Sequence, residues 1–541
     1  MTRSGPDLEG LGRGSSANLI GSAVMAGTTF ALTFAVTRGL SREQAGLFFA
    51  ATSVFVLASN LGQLGTNTAL VYFVSRARSL GTPERISRYV RTAMGPVLVT
   101  AILTALVFFI WAGPIGALIT PGHGDTTAAY LRSLALFIPL AGVENILLAA
   151  SRGLGTMRPS VLVEQVGRST VQLMLVVAAI MLSSQEALGW AWAAAYLPAA
   201  VWAVMWWRRL AARELRRSRV DRSAPLAGDV DRAAPTTHLE ARIAAAEAPS
   251  SPGPADSQSL GREFWRFSGP RALASVGQVT MQRLDIILVA AISGAVSAAI
   301  YTAATRFVVV GQMANRAIST AVQPRLSHAL ARGDVVETNH LYRVSTGWLM
   351  LLTWPLYLTL IVYGDDLLSL FGPGYATGRE VLVILAGSML WATACGMVDM
   401  VLNMGGRTTW NLANVFIALS VNLTLDLWLI PKIGLLGAAI GWAAAIVVSN
   451  LVALLQVSVV LGLHPFGRST VLAVVLPTVC YGAIPVAVGA VIGAGFAHLL
   501  VGLGLGTIAY AGCLTRWRQP LELGALIAVR RRGRGRAAPT S

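Results

Sequence analysis

Six arginines lie inside stretches otherwise apolar enough to cross a membrane: Arg132, Arg168, Arg271, Arg283, Arg306 and Arg316. An arginine in hydrocarbon costs at least a few kcal/mol, so such residues line a polar cavity or pair with an acid. Depth sorts them. Arg132 is near the outer end of its stretch and can snorkel. Arg168 follows Glu164 by four residues, the favourable order for a helical ion pair. Arg271 is close to a membrane boundary. Arg283, Asp285 and Arg306 flank a turn near residue 295 at almost equal depth, so the sequence predicts an Asp285–Arg306 bridge across the hairpin. The arginine left over suits a pyrophosphate, whose oxygens guanidinium groups bind in forked pairs. Arg316 is deeper, has no local acid, and is the expected first contact for a phosphate. Among acids, Glu144 (beside Asn145), Asp399 and Asp285 could hold a coupling proton or sodium ion, or pair with the arginines.

Amides extend these charges into stripes. Arg271, Ser275, Gln278, Gln282 and Asp285 share one helical face, as do Thr305, Gln312, Arg316, Ser319 and Gln323. Ser53, Asn60, Gln63 and Asn67 form a third stripe, and Asn411, Asn414, Asn422 and Asp426 a fourth. Such stripes face either a wet interior or a neighbouring helix, where amides serve as interhelical hydrogen-bond glue. The expected substrate-binding set is Arg316, Arg306, Arg283, Gln312, Gln282, Gln278, Asn60 and Asn67. No catalytic or metal-binding set is expected.

The elements that carry these residues are membrane helices. The chain is 55% hydrophobic and 12% charged, against about 25% charged in ordinary globular proteins. Span-length apolar windows fall near 18–37, 46–74, 92–112, 128–150, 160–182, 188–207, 268–292, 298–323, 344–363, 379–403, 411–430, 435–461, 470–490 and 494–514. The fold class is therefore an all-α polytopic membrane protein of about fourteen helices. Of 42 basic residues, 32 fall in segments on one side of the membrane and four on the other. Segments 76–91, 208–266 and 515–541 carry five, eleven and seven arginines, and alternate with nearly uncharged turns. The positive-inside bias places these segments, and both termini, in the cytoplasm. The net charge of +17 is thus a topology signal and not a nucleic-acid footprint. Residues 1–17 lack a cleavable-signal pattern, and Cys395, Cys480 and Cys513 lack ligand spacing and read as small buried hydrophobes.

Composition changes at 208–262, rich in Arg, Ala, Pro and Ser, which reads as a disordered cytoplasmic linker with a helical turn near His238–Glu247. It separates a first six-helix lobe, 18–207, from a second, 263–461. Two extra helices (462–514) and a basic tail (515–541) follow the short N-terminal segment and the lobes. Ala45–Thr52 resembles Ala298–Thr305, Gly81 matches Gly333, and Ala187–Ala191 resembles Leu436–Ala439. The common offset near 250 residues spans six helices, which predicts a parallel repeat around a central cavity.

Several motifs carry a specific resemblance: Leu367–Tyr375 (LLSLFGPGY), Gly405-Gly-Arg407, Asn411–Asn414, Val421–Leu423, Leu429–Pro431, Gly434–Ala439 and Arg38–Leu47. They resemble the polysaccharide and oligosaccharide (Wzx-like) flippases of the multidrug/oligosaccharidyl-lipid/polysaccharide exporter superfamily, over essentially all of 15–515. The resemblance implies a bacterial cell-membrane flippase that moves a polyprenyl-pyrophosphate-linked oligosaccharide to the outer leaflet by ion-coupled alternating access. It implies no cofactor. The implied partners are the lipid-linked glycan, membrane lipids and glycan-assembly enzymes, with no nucleic acid. The rival readings are a multidrug/toxin extrusion-type cation antiporter, a lipid II flippase and, remotely, a polytopic glycosyltransferase using Asp365-Asp366. The chain is not expected to be an enzyme. Its one lysine, Lys432, lies in no phosphate loop, which argues against an ATP-driven exporter.

Overall fold

The structure, a computed structural model, describes residues 8–223, 255–493 and 495–522. The first lobe runs α1 (Leu8–Gly39), α2 (Arg42–Leu61), α3 (Thr66–Ser79), α4 (Pro83–Ile110), α5 (Ala112–Ile119), α6 (Gly124–Ala135) and α7 (Ile138–Gly153). A π-helix, Ser160–Arg168, then runs into α8 (Ser169–Met181), followed by α9 (Gln185–Ala194) and α10 (Tyr196–Ser223). The second lobe contains α11 (Ala255–Ser293), α12 (Ala295–Ala331), α13 (Val335–Val362), α14 (Gly364–Ser369), α15 (Arg379–Ala394), α16 (Val398–Met404), α17 (Thr408–Ile433) and α18 (Leu435–Leu461). Finally α19 (Arg468–Pro477), a π-turn at Thr478–Ala483, α20 (Ile484–Ile492) and α21 (Phe496–Arg516) pack along α13. No strand occurs among the described residues.

Eleven of these helices or joined helices are long and apolar enough to cross a membrane. Two bent pairs, α6–α7 at 43° and α15–α16 at 40°, raise the number to 13. Fourteen is reached only if α12 is itself a span. It has 37 residues, ample length, but Arg306, Arg316 and Arg325 dilute its apolar character.

Several boundaries differ from those expected. The second span is broken: Leu64 and Gly65 adopt positive φ between α2 and α3. A Cβ at Gly65 would lie 2.5 Å from the Ala272 backbone nitrogen, so the break lets α11 approach backbone to backbone. The expected linker is helical at both ends, through Ser223 and from Ala255. The turn expected at His238–Glu247 lies outside the described residues, as do tail residues 523–541. Pro431 sits inside the last turn of α17, and it is Gly434, at φ +62°, that ends the helix. The closing run turns at Gly493 and Gly495, with Gly489 remaining helical.

The two lobes repeat in their backbone. Positive-φ positions recur as Gly81/Gly333, Gly122/Gly374, Gly155/Gly406 and Ser183/Gly434, each pair 251 or 252 residues apart. The bent pairs α6–α7 and α15–α16 occupy matching places in the two lobes. A left-handed residue is costly for most side chains, so four such pairs at one spacing mark a shared ancestral path. The lobes meet at the end opposite the basic segments. There Phe30 of α1, Phe307 of α12 and Phe371 pack with ring centroids 5.4–5.5 Å apart, and Arg38 Nε donates to the Leu370 carbonyl at 2.7 Å.

At this seam α2 crosses the start of α12 so closely that a Cβ on Gly46 would fall 1.8 Å from the Ala295 oxygen. Gly46→Val should therefore force the lobes apart and cost about 1–3 kcal/mol, the usual range for overpacking. A melting curve of the purified protein in detergent checks this. An unchanged midpoint would mean that the seam is not close-packed.

Candidate functional site: an arginine-lined cavity between the lobes

A cavity of ≈ 560 Å³ separates the lobes below the aromatic seam. Its charged lining is Arg168, Arg283, Arg306 and Arg316 against Glu164 and Asp285. Four of the six membrane arginines thus converge on one space, while Arg132 is exposed at the end of α6 and Arg271 lies elsewhere. Of the expected substrate set, Arg316, Arg306, Arg283, Gln312, Gln282, Asn60 and Asn67 line the cavity. Gln278 is exposed and does not. It precedes Gln282 by a full turn, nearer the α11 segment that packs on α3.

On the first-lobe wall the π-helix ends at Arg168, and π-turns are frequent at functional sites. The Arg168 Nε lies 3.2 Å from Glu144 Oε1, with Glu164 Oε1 farther off, 3.8 Å from the other guanidinium arm. Its NH1 donates to the Tyr196 hydroxyl at 2.9 Å, and the guanidinium stands 4.7 Å from that ring's centroid. Arg168 therefore pairs chiefly across helices with Glu144 and only weakly with its helical neighbour Glu164. Glu144 is 2% exposed. Among the described residues, the cation next to that buried carboxylate is Arg168. Tyr196 was missed from sequence because one tyrosine on an apolar helix gives no signal.

The second-lobe wall corrects the expected Asp285–Arg306 bridge. The hairpin turns at Gly294, at φ +87°. Asp285 precedes it by nine residues and Tyr301 follows it by seven, whereas Arg283 and Arg306 stand eleven and twelve away. Levels therefore match as Asp285 with Tyr301 and Arg283 with Arg306. Tyr301 donates its hydroxyl to Asp285 Oδ2 at 2.9 Å. The two guanidiniums repel one another, neither has an acid neighbour among the described residues, and Arg306 Nε has no hydrogen-bond partner.

Behind this wall Asp285 of α11 meets Asp426 of α17 within hydrogen-bond reach. Asn422 Nδ2 donates to Asp426 Oδ2 at 3.1 Å. The Oδ1 atoms of Asp285, Asn422 and Asp426 are buried and unpartnered among the described residues. Gly441 leaves the room, since a Cβ there would lie 2.1 Å from Asp426 Oδ1. Two carboxyls this close cannot both be ionised without a shared proton or a bound cation. Asn422 and Asp426 belonged to a recognised polar stripe, yet only the fold brings that stripe's inner end to Asp285. Its outer members are glue: Asn414 exchanges hydrogen bonds with Gln456 at 2.8 and 3.0 Å, and Asn411 bonds Asn403 at 3.3 Å. Asp399, expected to be deeply buried, is exposed in the first turn of α16 and does not line the cavity.

The chain matches two family descriptions, "Polysaccharide biosynthesis protein" over residues 11–222 and MatE over residues 270–428. One family thus claims the first lobe and the other the second. The chain thus resembles the multidrug, oligosaccharidyl-lipid and polysaccharide exporters in both lobes. The chain shares its fold with a lipid II flippase, MurJ, in an inward closed conformation. The TM-score is 0.67 at 13% identity, covering 93% of this chain and 98% of that one. It also resembles an inward-facing MATE-family multidrug resistance transporter, with a TM-score of 0.56 at 16% identity, covering 80% and 94%. In sequence it is 21% identical over 190 residues to Agl15 of Haloferax volcanii, a probable low-salt glycan biosynthesis flippase. That match covers 35% of this chain and 40% of the relative's own length.

Arg168 and Arg316 should separate in their effects on stability. Arg168→Leu strands a buried carboxylate and should destabilise the protein by about 3–5 kcal/mol. Arg316 faces the cavity, exposed, so Arg316→Gln should change stability by less than about 0.5 kcal/mol. Denaturation of both variants in one detergent checks the contrast, and equal losses would contradict these roles.

Proposed function

We propose that this protein moves a polyprenyl-pyrophosphate-linked oligosaccharide from the cytoplasmic to the outer leaflet of a bacterial cell membrane. The observation that carries the reading is the Arg283–Arg306 pair, two guanidiniums level with each other in a cavity wall and without an acid partner among the described residues. Such a pair is costly alone and well matched to a diphosphate, which offers oxygens for forked hydrogen bonds and cancels both charges. Arg316 lies toward the basic end of the cavity, and the amides of Asn60, Asn67, Gln282 and Gln312 supply donors and acceptors suited to sugar hydroxyls.

The positive-inside bias places the basic ends of the lobes, and both termini, in the cytoplasm. The aromatic seam then closes the outer end, and loading from inside would require the Ser268–Leu64 contact at the basic end to part. Rocking of the two parallel lobes about the fixed arginines would present the cavity to the other leaflet. The Asp285–Asn422–Asp426 cluster is the natural place for coupling. Its three unpartnered oxygens suit a proton or a small hard cation, and α11 carries both Asp285 and Arg283, so ion and diphosphate act on one helix. Membrane lipids and glycan-assembly enzymes complete the expected surroundings, and the chain acts as a transporter and not as a catalyst.

A cation antiporter of the multidrug type is the competing reading, favoured by the MatE match over 270–428. The excess of arginine over acid in the cavity opposes it, since a cationic drug would meet repulsion.

Deletion of the gene should cause lipid-linked glycan to accumulate in the inner leaflet. Unchanged pools together with new sensitivity to cationic dyes would overturn the proposal in favour of drug export. In the purified protein, Arg283→Gln or Arg306→Gln should weaken binding of a polyprenyl pyrophosphate roughly tenfold or more, because a hydrogen bond to a charged group contributes about 1.5–3 kcal/mol. Asp426→Asn should leave that binding intact while removing the ion dependence of flipping in vesicles. Ion dependence that survives this change would separate the cluster from coupling.

A further inference from the structure

A second basic site lies well apart from the cavity, on the face that carries the arginine-rich segments. A groove of ≈ 590 Å³ runs between α3 and the start of α11, lined by Tyr72 and Arg76 on one side and Arg262, Arg266, Phe267 and Arg271 on the other. Glu263 is the one acid in its lining and is already paired with Arg76 at 2.9 Å. Among the described residues, Arg262, Arg266 and Arg271 have no carboxylate partner. The floor is rigid. Tyr72 stacks on Phe267 with centroids 4.6 Å apart and planes 17° from parallel. Arg271 lies over the same Phe267 ring at 3.6 Å and donates to the Phe267 carbonyl at 3.0 Å. Phe264, on the reverse of this turn, is fully buried in the first-lobe core, which fixes α11 against α3.

We infer that this groove binds the headgroup phosphate of an anionic phospholipid from the leaflet on the basic side. Three features select a lipid over a soluble anion. From Arg271 to Arg262 the helix rises about 13 Å, so the guanidiniums step from the hydrocarbon edge out through the headgroup zone. Tyr72, 46% exposed, presents an amphipathic ring at that boundary, where such rings settle. Leu273, 62% exposed, continues the same helix into the apolar layer and offers an acyl chain a surface to follow. A soluble phosphate would use the arginines and leave the other two features unexplained.

The site joins the lobes at their basic end. Its arginines come from both sides of the contact where the Ser268 hydroxyl donates to the Leu64 carbonyl at 2.7 Å. A bound headgroup therefore bridges α3 to α11 and holds that contact shut, whichever solute the central cavity carries.

The test is titration of the full-length purified protein in neutral detergent with phosphatidylglycerol or phosphatidylcholine, read by native mass spectrometry and by melting temperature. Phosphatidylglycerol should be retained and should raise the melting temperature, and phosphatidylcholine should do neither. The double variant Arg262→Gln/Arg266→Gln should bind phosphatidylglycerol roughly thirtyfold more weakly, since each basic residue near an anionic surface contributes about 1 kcal/mol. Glu263→Gln should act in the opposite direction, because it frees Arg76 for the phosphate. Arg316→Gln, in the cavity, should leave phosphatidylglycerol binding unchanged. The inference is overturned if Arg262→Gln/Arg266→Gln binds like wild type, if Glu263→Gln weakens binding, or if Arg316→Gln alone removes it. Failure of the diphosphate-flipping proposal would show instead in polyprenyl pyrophosphate binding, which this groove does not govern.

Discussion

A guanidinium cannot face lipid hydrocarbon at tolerable cost, and the interior of this molecule is arranged around that fact. Arg168, Arg283, Arg306 and Arg316 all point into one space between the lobes, and each is handled differently. Arg168 is neutralised by Glu144 and capped by Tyr196. Arg283 and Arg306 are left facing each other. Arg316 stays wet. Removing the cavity would bury unpaired charges in a low-dielectric slab, so the separation of the lobes is an electrostatic requirement.

Much of this was legible in the residues. Composition and the placement of arginine identify a polytopic helical protein with two similar lobes, and the same signals single out the α11–α12 hairpin as one that lines the cavity. What could not be read was register. A shift of the turn from 295 to Gly294, with Tyr301 opposite Asp285, exchanges every partner across the hairpin. Helical faces are legible because they depend on spacing within one element. Pairing between elements depends on rise, tilt and turn position together, and errors of one or two residues there are enough to misassign a salt bridge.

Burial was the other limit. Glu144 and Asp399 look alike in sequence, each an acid in an apolar run, yet one sits against Arg168 and the other is exposed at the start of a short helix. Asp426 was visible as part of a polar stripe but not as the partner of Asp285, because α11 and α17 are far apart in the chain. The π-helix before Arg168 left no trace in the hydropathy pattern, although it sets the direction in which that guanidinium points.

The closure between α2 and α12 is made of Gly46 lying against the Ala295 backbone. Glycine has no rotamers and alanine none to lose, so this one crossing freezes almost no side-chain entropy. The side-chain ordering at this end is carried instead by the Phe30–Phe307–Phe371 cluster and by Arg38 on the Leu370 carbonyl. The crossing sets how near the two backbones come, and the rings and the guanidinium set what must be released to part them.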